Sequence, residues 1–308
     1  MRVLIAEDDP ISRRLLRKVL EKWGHEVIVA EDGDKAWDIV QRNDAPNLAI
    51  LDWMMPGMDG VEICRQARKT KRKEYLYIIL LTAKGTKEDF LEGMEAGADD
   101  YTVKPLDLGE LQVRMRAAER ILDLQSELIG AQEALRLQAT HDSLTGLLNR
   151  AAIRDMFKAE LTRAQREDRS VAVIMADLDH FKRINDTYGH AAGDTVLRET
   201  AQRMRSTVRS YDAIGRYGGE EFLLLMPGCD LEVGVERAEK IRRRLADEPV
   251  KVSGKDITVT LSLGLTAYTS KATADLEEII RAADEAMYKA KRAGRNQVET
   301  LDLAAVAL

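Results

Sequence analysis

Five short apolar runs, at 3–6, 27–30, 48–51, 78–81 and 101–103, alternate with segments of helical period. This alternation is what most narrows the fold. A run such as Val3-Leu4-Ile5-Ala6 is apolar at every position, the pattern of a strand buried on both faces. The segment between the first two runs places Ile11, Leu15, Leu16, Val19 and Leu20 on one helical face. Strand–helix alternation of this kind predicts an α/β domain, a doubly wound (βα)5 parallel sheet. A chain of 308 residues has room for a second domain at roughly 150 residues each. Charged residues make up 32% of the chain, which argues for a soluble protein. The net charge of −6 speaks against a general nucleic-acid surface. Cys64 and Cys229 both lie in or beside apolar segments and read as small core hydrophobes in a reducing compartment. The N-terminus is too short in apolar residues for a secretory signal, and no apolar run approaches the ~20 residues of a membrane span. The expected location is the cytoplasm.

Ligands of a doubly wound sheet sit at the carboxyl ends of its strands. There the chain places Glu7 and Asp8 after the first run, Asp52 after the third, Thr82 after the fourth and Lys104-Pro105 after the fifth. Three converging carboxylates repel one another unless a cation lies among them, and Mg²⁺ suits their hard oxygens. A carboxylate beside that ion can attack phosphorus, with Thr82 to hydrogen-bond the phosphoryl group and Lys104 to neutralise it. Acids at strand ends also cap helices, but five such residues in register at one sheet edge argue for a site.

With those residues in place, residues 1–120 resemble a bacterial response-regulator receiver domain. The resemblance implies that Asp52 is the phosphoacceptor, with a histidine kinase as phosphodonor. It implies that Glu7 and Asp8 are the acidic metal pair, Glu7 standing where Asp is commoner, and that the Met54 backbone carbonyl adds a ligand. Thr82 and Tyr101 match the family's switch residues and Lys104 its active-site lysine. The Lys104-Pro105 bond is expected to be cis.

From Leu108 to about residue 140 the chain reads as one long proline-free helix. Leu108, Leu111, Met115, Ala118 and Leu122 form one apolar register. Ala117, Ile121, Leu124, Leu128, Ala131 and Leu135 form a second, in heptad steps. The two are offset around Ile121-Leu122, like a stutter in a coiled coil. The expectation for 107–140 is a linker helix that pairs as a homodimeric coiled coil.

The second half, 141–300, opens on His141-Asp142-Ser143-Leu144-Thr145-Gly146, where Asp142 and Thr145 suit capping of a turn that enters a helix reaching about residue 166. A buried strand ends at Asp177 and is followed by Leu178-Asp179-His180-Phe181-Lys182-Arg183-Ile184-Asn185-Asp186. A helix is expected from about 195 to 209. The runs 211–217 and 222–226 flank Gly218-Gly219-Glu220-Glu221, which reads as a hairpin with acids at its tip, suited to a metal–triphosphate. A helix at 231–246, a second hairpin over 250–267, a helix at 274–293 and a strand at 297–300 complete the half. Residues 301–308 form a short apolar tail.

These separated motifs, in this order, resemble the GGDEF family of diguanylate cyclases over essentially all of 141–300. The Glu at the motif's third position is an accepted variant. The resemblance implies a βαββαβ palm-like core that condenses two GTP into cyclic di-GMP with release of pyrophosphate. It assigns Asp177, Glu220 and the Leu178 carbonyl to Mg²⁺ (with Mn²⁺ as the alternative) and places Glu221 near the metal or the attacking hydroxyl. Gly218 and Gly219 would let backbone N–H groups approach phosphates. Lys182, Lys291 and Arg295 would clamp the triphosphate. Asp194 would accept from guanine's N1–H and amine and Asn185 would contact the base edge, so GTP is favoured over ATP. Phe181, Leu144 and Leu197 would line the substrate site. Arg209 and Asp212, an Arg-x-x-Asp pair with five residues between Asp212 and Gly218, match the site where cyclic di-GMP inhibits. Competing expectations are a catalytically dead cyclic di-GMP receptor, a cyclase that also makes GMP–AMP, and a transcription regulator. The first requires a broken motif, the second loss of Asp194, and the third a helix-turn-helix that the chain lacks.

Overall fold

A computed structural model describes residues 1–70, 72, 74–83, 86–252, 254–269 and 274–303. The chain divides into two compact units, Met1–Gln132 and Glu133–Leu308.

The N-terminal unit alternates β1 (Arg2–Ala6), α1 (Pro10–Lys22), β2 (Glu26–Ala30), α2 (Gly33–Val40), β3 (Leu48–Asp52), α3 (Gly60–Lys69), β4 (Tyr77–Thr82), α4 (Lys87–Glu95) and β5 (Asp100–Val103). The five strands form one parallel sheet in the order β2-β1-β3-β4-β5. Side chains from both faces of β3 and β4 are buried throughout, which is why these strands read as unbroken apolar runs. Asp9, Asp32, Asp59 and Thr86 cap the N-termini of α1 to α4, each accepting from a backbone N–H three residues on. Strand order reverses between β1 and β3, so residues after both strands open onto one crevice.

Helix α5 spans Leu108–Thr140, and the boundary between the units falls within it. Its two apolar registers have different fates. Leu111, Met115, Ala118 and Leu122 are buried in the N-terminal core beside Leu16, Leu20 and Tyr77. Ile121, Leu124, Leu128 and Leu135 are 43% to 65% exposed. The offset near Ile121-Leu122 is therefore not a winding irregularity of one seam. It marks where the buried face of the helix ends and a separate, exposed stripe takes over.

The C-terminal unit runs α6 (Arg150–Glu167), β6 (Val171–Leu178), α7 (Phe181–Tyr188), α8 (His190–Thr207), β7 (Ala213–Arg216), β8 (Glu221–Pro227), α9 (Leu231–Ala246), β9 (Val250–Val252), β10 (Lys255–Ile257), β11 (Leu261–Tyr268), α10 (Leu276–Arg292) and β12 (Val298–Thr300). Its main sheet has the order β12-β11-β6-β8-β7, with β6 antiparallel to both neighbours. Ala172, Ile174, Ala176 and Leu178 face a core shared with α8 and α9. Val171, Val173 and Met175 face a second core shared with α6 and α10. Asp177 continues that odd-numbered series and so emerges on the α10 side.

Two boundaries differ from the sequence reading. The helix expected from 195 starts at His190, and a separate α7 precedes it. The stretch 250–267 is not one hairpin: β9 and β10 form a small two-stranded sheet, and β11 returns to pair with β6. Asp142 caps the turn that enters α6, accepting from Thr145 N at 2.8 Å and Thr145 Oγ1 at 2.7 Å, and Asn149 caps the helix itself, accepting from Ala152 N at 2.9 Å. Of the expected tail, Leu301 and Leu303 pack on the second core, and 304–308 lie outside the described residues. Both cysteines are buried and free.

Candidate functional sites

In the N-terminal unit, ligand atoms of Glu7, Asp8 and Asp52 lie within 4.8 Å of one another. No other group of three or more potential ligand residues does so among the described residues. Glu7 and Asp52 are buried and Asp8 is exposed. Lys104 Nζ lies 2.8 Å from Asp52 Oδ2 and 2.9 Å from Glu7 Oε2. Burial pushes the Glu7 carboxyl above its usual range; Lys104 draws it down and the Asp52 charge pushes it up. Burial lowers the Lys104 ammonium, but its two carboxylate partners outweigh that and raise it. One ammonium among three acids leaves excess negative charge, and the all-oxygen donor set fits a hard divalent cation. Thr82 is buried at the end of β4 beside this crevice. The Lys104-Pro105 bond is cis. Tyr101 packs its ring 4.8 Å from that of Phe90, with the Arg114 guanidinium 5.6 Å from its centroid. Met54 is exposed just past β3.

In the C-terminal unit, the β6–β8 register makes Asp177 and Glu221 cross-strand partners. Side chains directly opposite on adjacent strands share one face of a sheet. Glu220 is one residue off that register, its carbonyl accepting from Leu178 N at 3.2 Å. The acid directly opposite Asp177 is thus Glu221, with Glu220 next to it at the hairpin tip. Asp177 is 5% exposed and Lys291 Nζ reaches its Oδ2 at 2.8 Å. All three carboxyls are held above their ordinary range, first by burial. The charge of Asp177 adds to the rise at Glu220 and Glu221, and Asp284 on α10 adds to it at Asp177 and Glu221. The charge on such a set is relieved by a cation, although among the described residues the ligand atoms of these three acids do not draw together as those of Glu7, Asp8 and Asp52 do.

Gly218 has a packing reason that Gly219 lacks. A Cβ on Gly218 would sit 2.3 Å from Glu221 Oε2, whereas one on Gly219 meets nothing within 4 Å. The absent side chain at 218 leaves room for the Glu221 carboxylate. Gly193 plays the same part for Asn185, whose Oδ1 would lie 1.9 Å from an added Cβ. The Asn185 side chain thus packs on Gly193, the residue before Asp194 in the chain, and neither Asn185 nor Asp194 is a helix cap. Phe181 and Leu197 are buried in the core and Leu144 packs against it. Lys182 and Arg295 are exposed, and Arg295 has a left-handed φ of 64°. Lys291 is not free toward solvent; it is held on Asp177.

Three supporting residues escaped the sequence reading. Asp179 is buried and accepts from Ser262 Oγ at 2.6 Å, Thr260 Oγ1 at 2.7 Å and Asn296 N at 3.0 Å, anchoring the turn after Asp177. Arg216 joins the turn after α5 to the hairpin. Its Nη1 lies 3.1 Å from Asp142 Oδ2, and its Nη2 donates to the Gly219 carbonyl at 2.7 Å. Asn149 stitches the end of α5, donating its N to Thr140 O at 2.9 Å and its Nδ2 to Ala139 O at 2.7 Å. The alternation of Asp177 and Asp179, and the Arg directly before Tyr-Gly-Gly, were the available signals for the first two.

The model of the family described as diguanylate cyclase, GGDEF domain, matches residues 139–297, more than half of the chain. The chain belongs to the GGDEF family. The response regulator receiver domain model matches residues 3–116, so this GGDEF protein carries a receiver domain ahead of its GGDEF domain. It is 32% identical over 305 residues to the response regulator PleD of Caulobacter vibrioides, covering 96% of this chain and 65% of PleD. The chain therefore spans just under two thirds of that relative's length. It is 36% identical over 217 residues to the diguanylate cyclase DgcP of Pseudomonas aeruginosa, covering 68% of this chain and 32% of DgcP. Among solved structures it is similar to the coiled coil and GGDEF domain of DgcB from Caulobacter crescentus in complex with c-di-GMP. The TM-score is 0.56 and the identity 29%, covering 61% of this chain and 99% of that one. Among the described residues no helix is long and apolar enough to cross a membrane.

Proposed function

We propose that the protein is a phosphorylation-regulated diguanylate cyclase that condenses two GTP into cyclic di-GMP and releases two pyrophosphates. The observation that carries the reading is the pairing of Asp177 with Glu221 at the end of β6, beside Glu220 and under Lys291. Attack of a 3′-hydroxyl on an α-phosphate concentrates negative charge there. Bound Mg²⁺ or Mn²⁺ supplies neutralisation of the triphosphate and of the transition state. Asp177 and Glu220, with the Leu178 carbonyl, are the residues that would hold it. Glu221, opposite Asp177, would lie close to the metal or to the attacking hydroxyl. Lys182, Lys291 and Arg295 bind phosphates, and Lys291 exchanges its hold on Asp177 for the triphosphate. Asp194 and Asn185 read the guanine edge, within walls of Leu144, Phe181 and Leu197.

The proposed domains are a receiver at 1–120, a linker helix at 107–140, a cyclase domain at 141–300 and a tail at 301–308. Each cyclase domain holds one GTP, so the reaction needs two domains face to face, and the exposed stripe of α5 supports a homodimer. Asp52 takes the phosphoryl group from a histidine kinase, and Glu7, Asp8, Asp52 and the Met54 carbonyl would hold the metal, which would neutralise the phosphoryl oxygens. Thr82, Tyr101 and Lys104 read the change. Arg209 and Asp212 bind the product as inhibitor. The setting is the cytoplasm, with no nucleic-acid partner.

The test is turnover of purified protein with GTP and Mg²⁺, followed by nucleotide chromatography, with and without beryllofluoride. Cyclic di-GMP that increases with the mimic is the expected result. Product insensitive to the mimic removes the switch, and absence of product removes the enzyme.

A further inference from the structure

Both side chains of the Arg-x-x-Asp pair are engaged within the chain itself. The Arg209 guanidinium lies 5.7 Å from the Tyr211 ring centroid and donates to the Tyr211 hydroxyl. The Asp212 side chain is only 1% exposed. Its Oδ2 accepts from Arg209 N at 2.8 Å and from Arg237 Nη1 at 2.9 Å. Its Oδ1 is buried with no hydrogen-bond partner among the described residues. Arg237 comes from α9, and with Arg209, Asp212 and Lys240 it lines a cavity of about 350 Å³.

A carboxylate this well covered cannot be touched from solvent until one neighbour moves. The Arg209 N–H cannot, because it belongs to the same short turn, which Asp212 N closes by donating to Arg209 O at 3.1 Å. Arg237 can, because its guanidinium rides on a long flexible stem. We propose that Arg237 is a latch on the inhibitory site: it covers Asp212 and must swing away before a guanine can bind there. The inference rests on the reading that Arg209 and Asp212 hold cyclic di-GMP. A guanine edge presents two neighbouring donors, which would meet both carboxylate oxygens and satisfy the orphaned Oδ1. The latch thus exchanges one donor to Oδ2 for a pair. While the closed form dominates, the apparent affinity falls by the fraction of open molecules.

The experiment measures cyclic di-GMP inhibition of GTP turnover, and cyclic di-GMP binding by calorimetry, on the full chain. Arg237→Met is expected to lower the half-inhibitory concentration by about tenfold, as for an open fraction near one tenth. Arg237→Gln keeps a neutral donor on Asp212 and is expected to give a smaller shift in the same direction. Turnover without added product should match the unaltered protein in both, which also reports that they fold. Weaker inhibition in the Arg237 variants would make Arg237 a direct ligand contact and overturn the latch. Unchanged inhibition in them, with inhibition lost in Arg209→Ala, would overturn the latch and keep the site. Full inhibition in Arg209→Ala would remove the site itself, and the latch with it.

Discussion

Glu7 shows most directly what one residue costs a fold and returns to a function. Its carboxyl is fully buried, and its pKa is raised above the usual 4.5, first by burial. A raised carboxyl pKa means that the folded state binds a proton that the unfolded state has released. Stability from this group is therefore present below pH 4.5 and lost as pH rises through the raised value. In its charged form Glu7 is strained, because Lys104 only partly offsets its burial, and a divalent cation would relieve it. Glu7→Gln should raise the receiver's melting temperature in chelator at pH 7 by about 2–4 °C, on the order of 1 kcal/mol. It should also abolish the further rise that Mg²⁺ gives the unaltered protein. Thermal unfolding with EDTA and with Mg²⁺ decides the matter. A variant that melts lower in EDTA yet keeps the full Mg²⁺ response would show that Glu7 is structural and not a ligand.

Among the elements, the turn after α5 and the β7–β8 hairpin are joined by one side chain. Arg216 holds Asp142 and the Gly219 carbonyl, so the carbonyl at the hairpin tip moves with the turn. Burial opposes ionisation of Asp142, but Thr145 and Arg216 outweigh it and keep its carboxyl below the usual range. Arg216→Met should lower kcat by about tenfold, roughly 1.4 kcal/mol of transition-state stabilisation, with little change in the KM for GTP. Asp142→Asn should cost less, and the double variant should cost no more than Arg216→Met alone. Additive losses would show that the two residues act separately. This link also marks how far the chain could be read in advance. The five strands of the receiver, α9 and Asp177 at the end of β6 were legible because each is written in a local pattern. The register that sets Glu221, not Glu220, against Asp177 was not, because it is decided by how β8 slides along β6. The engagement of Lys291 by Asp177 and of Asp212 by Arg237 was likewise hidden, since the partners are 114 and 25 residues apart. The split of 250–267 into a small β9–β10 sheet and β11 was hidden too, because apolar runs on either side of a turn look alike whichever strand they pair with.

In the whole molecule, α5 is the element that carries residues of both units. One of its faces is committed to the N-terminal core through Leu111, Met115, Ala118 and Leu122. The other carries Ile121, Leu124, Leu128 and Leu135 into the C-terminal unit, exposed. If that stripe is the seam of a dimer, phosphorylation need only rebalance two pairings of it. A tenfold activation corresponds to about 1.4 kcal/mol, which a seam diluted by Ala117 and Ala131 can supply. Helix geometry then gives a test that leaves every site residue untouched. Inserting seven residues after Leu128 turns the downstream half by about 20° relative to the upstream half, an offset that supercoiling absorbs. Inserting two turns it by about 200° and sends the stripe to opposite sides. The seven-residue variant should keep the beryllofluoride stimulation of GTP turnover within about twofold. The two-residue variant should lose the stimulation, whatever its basal rate. The coupling is carried some other way if both respond alike, and equally if the seven-residue variant is silent while sedimentation shows it still dimeric.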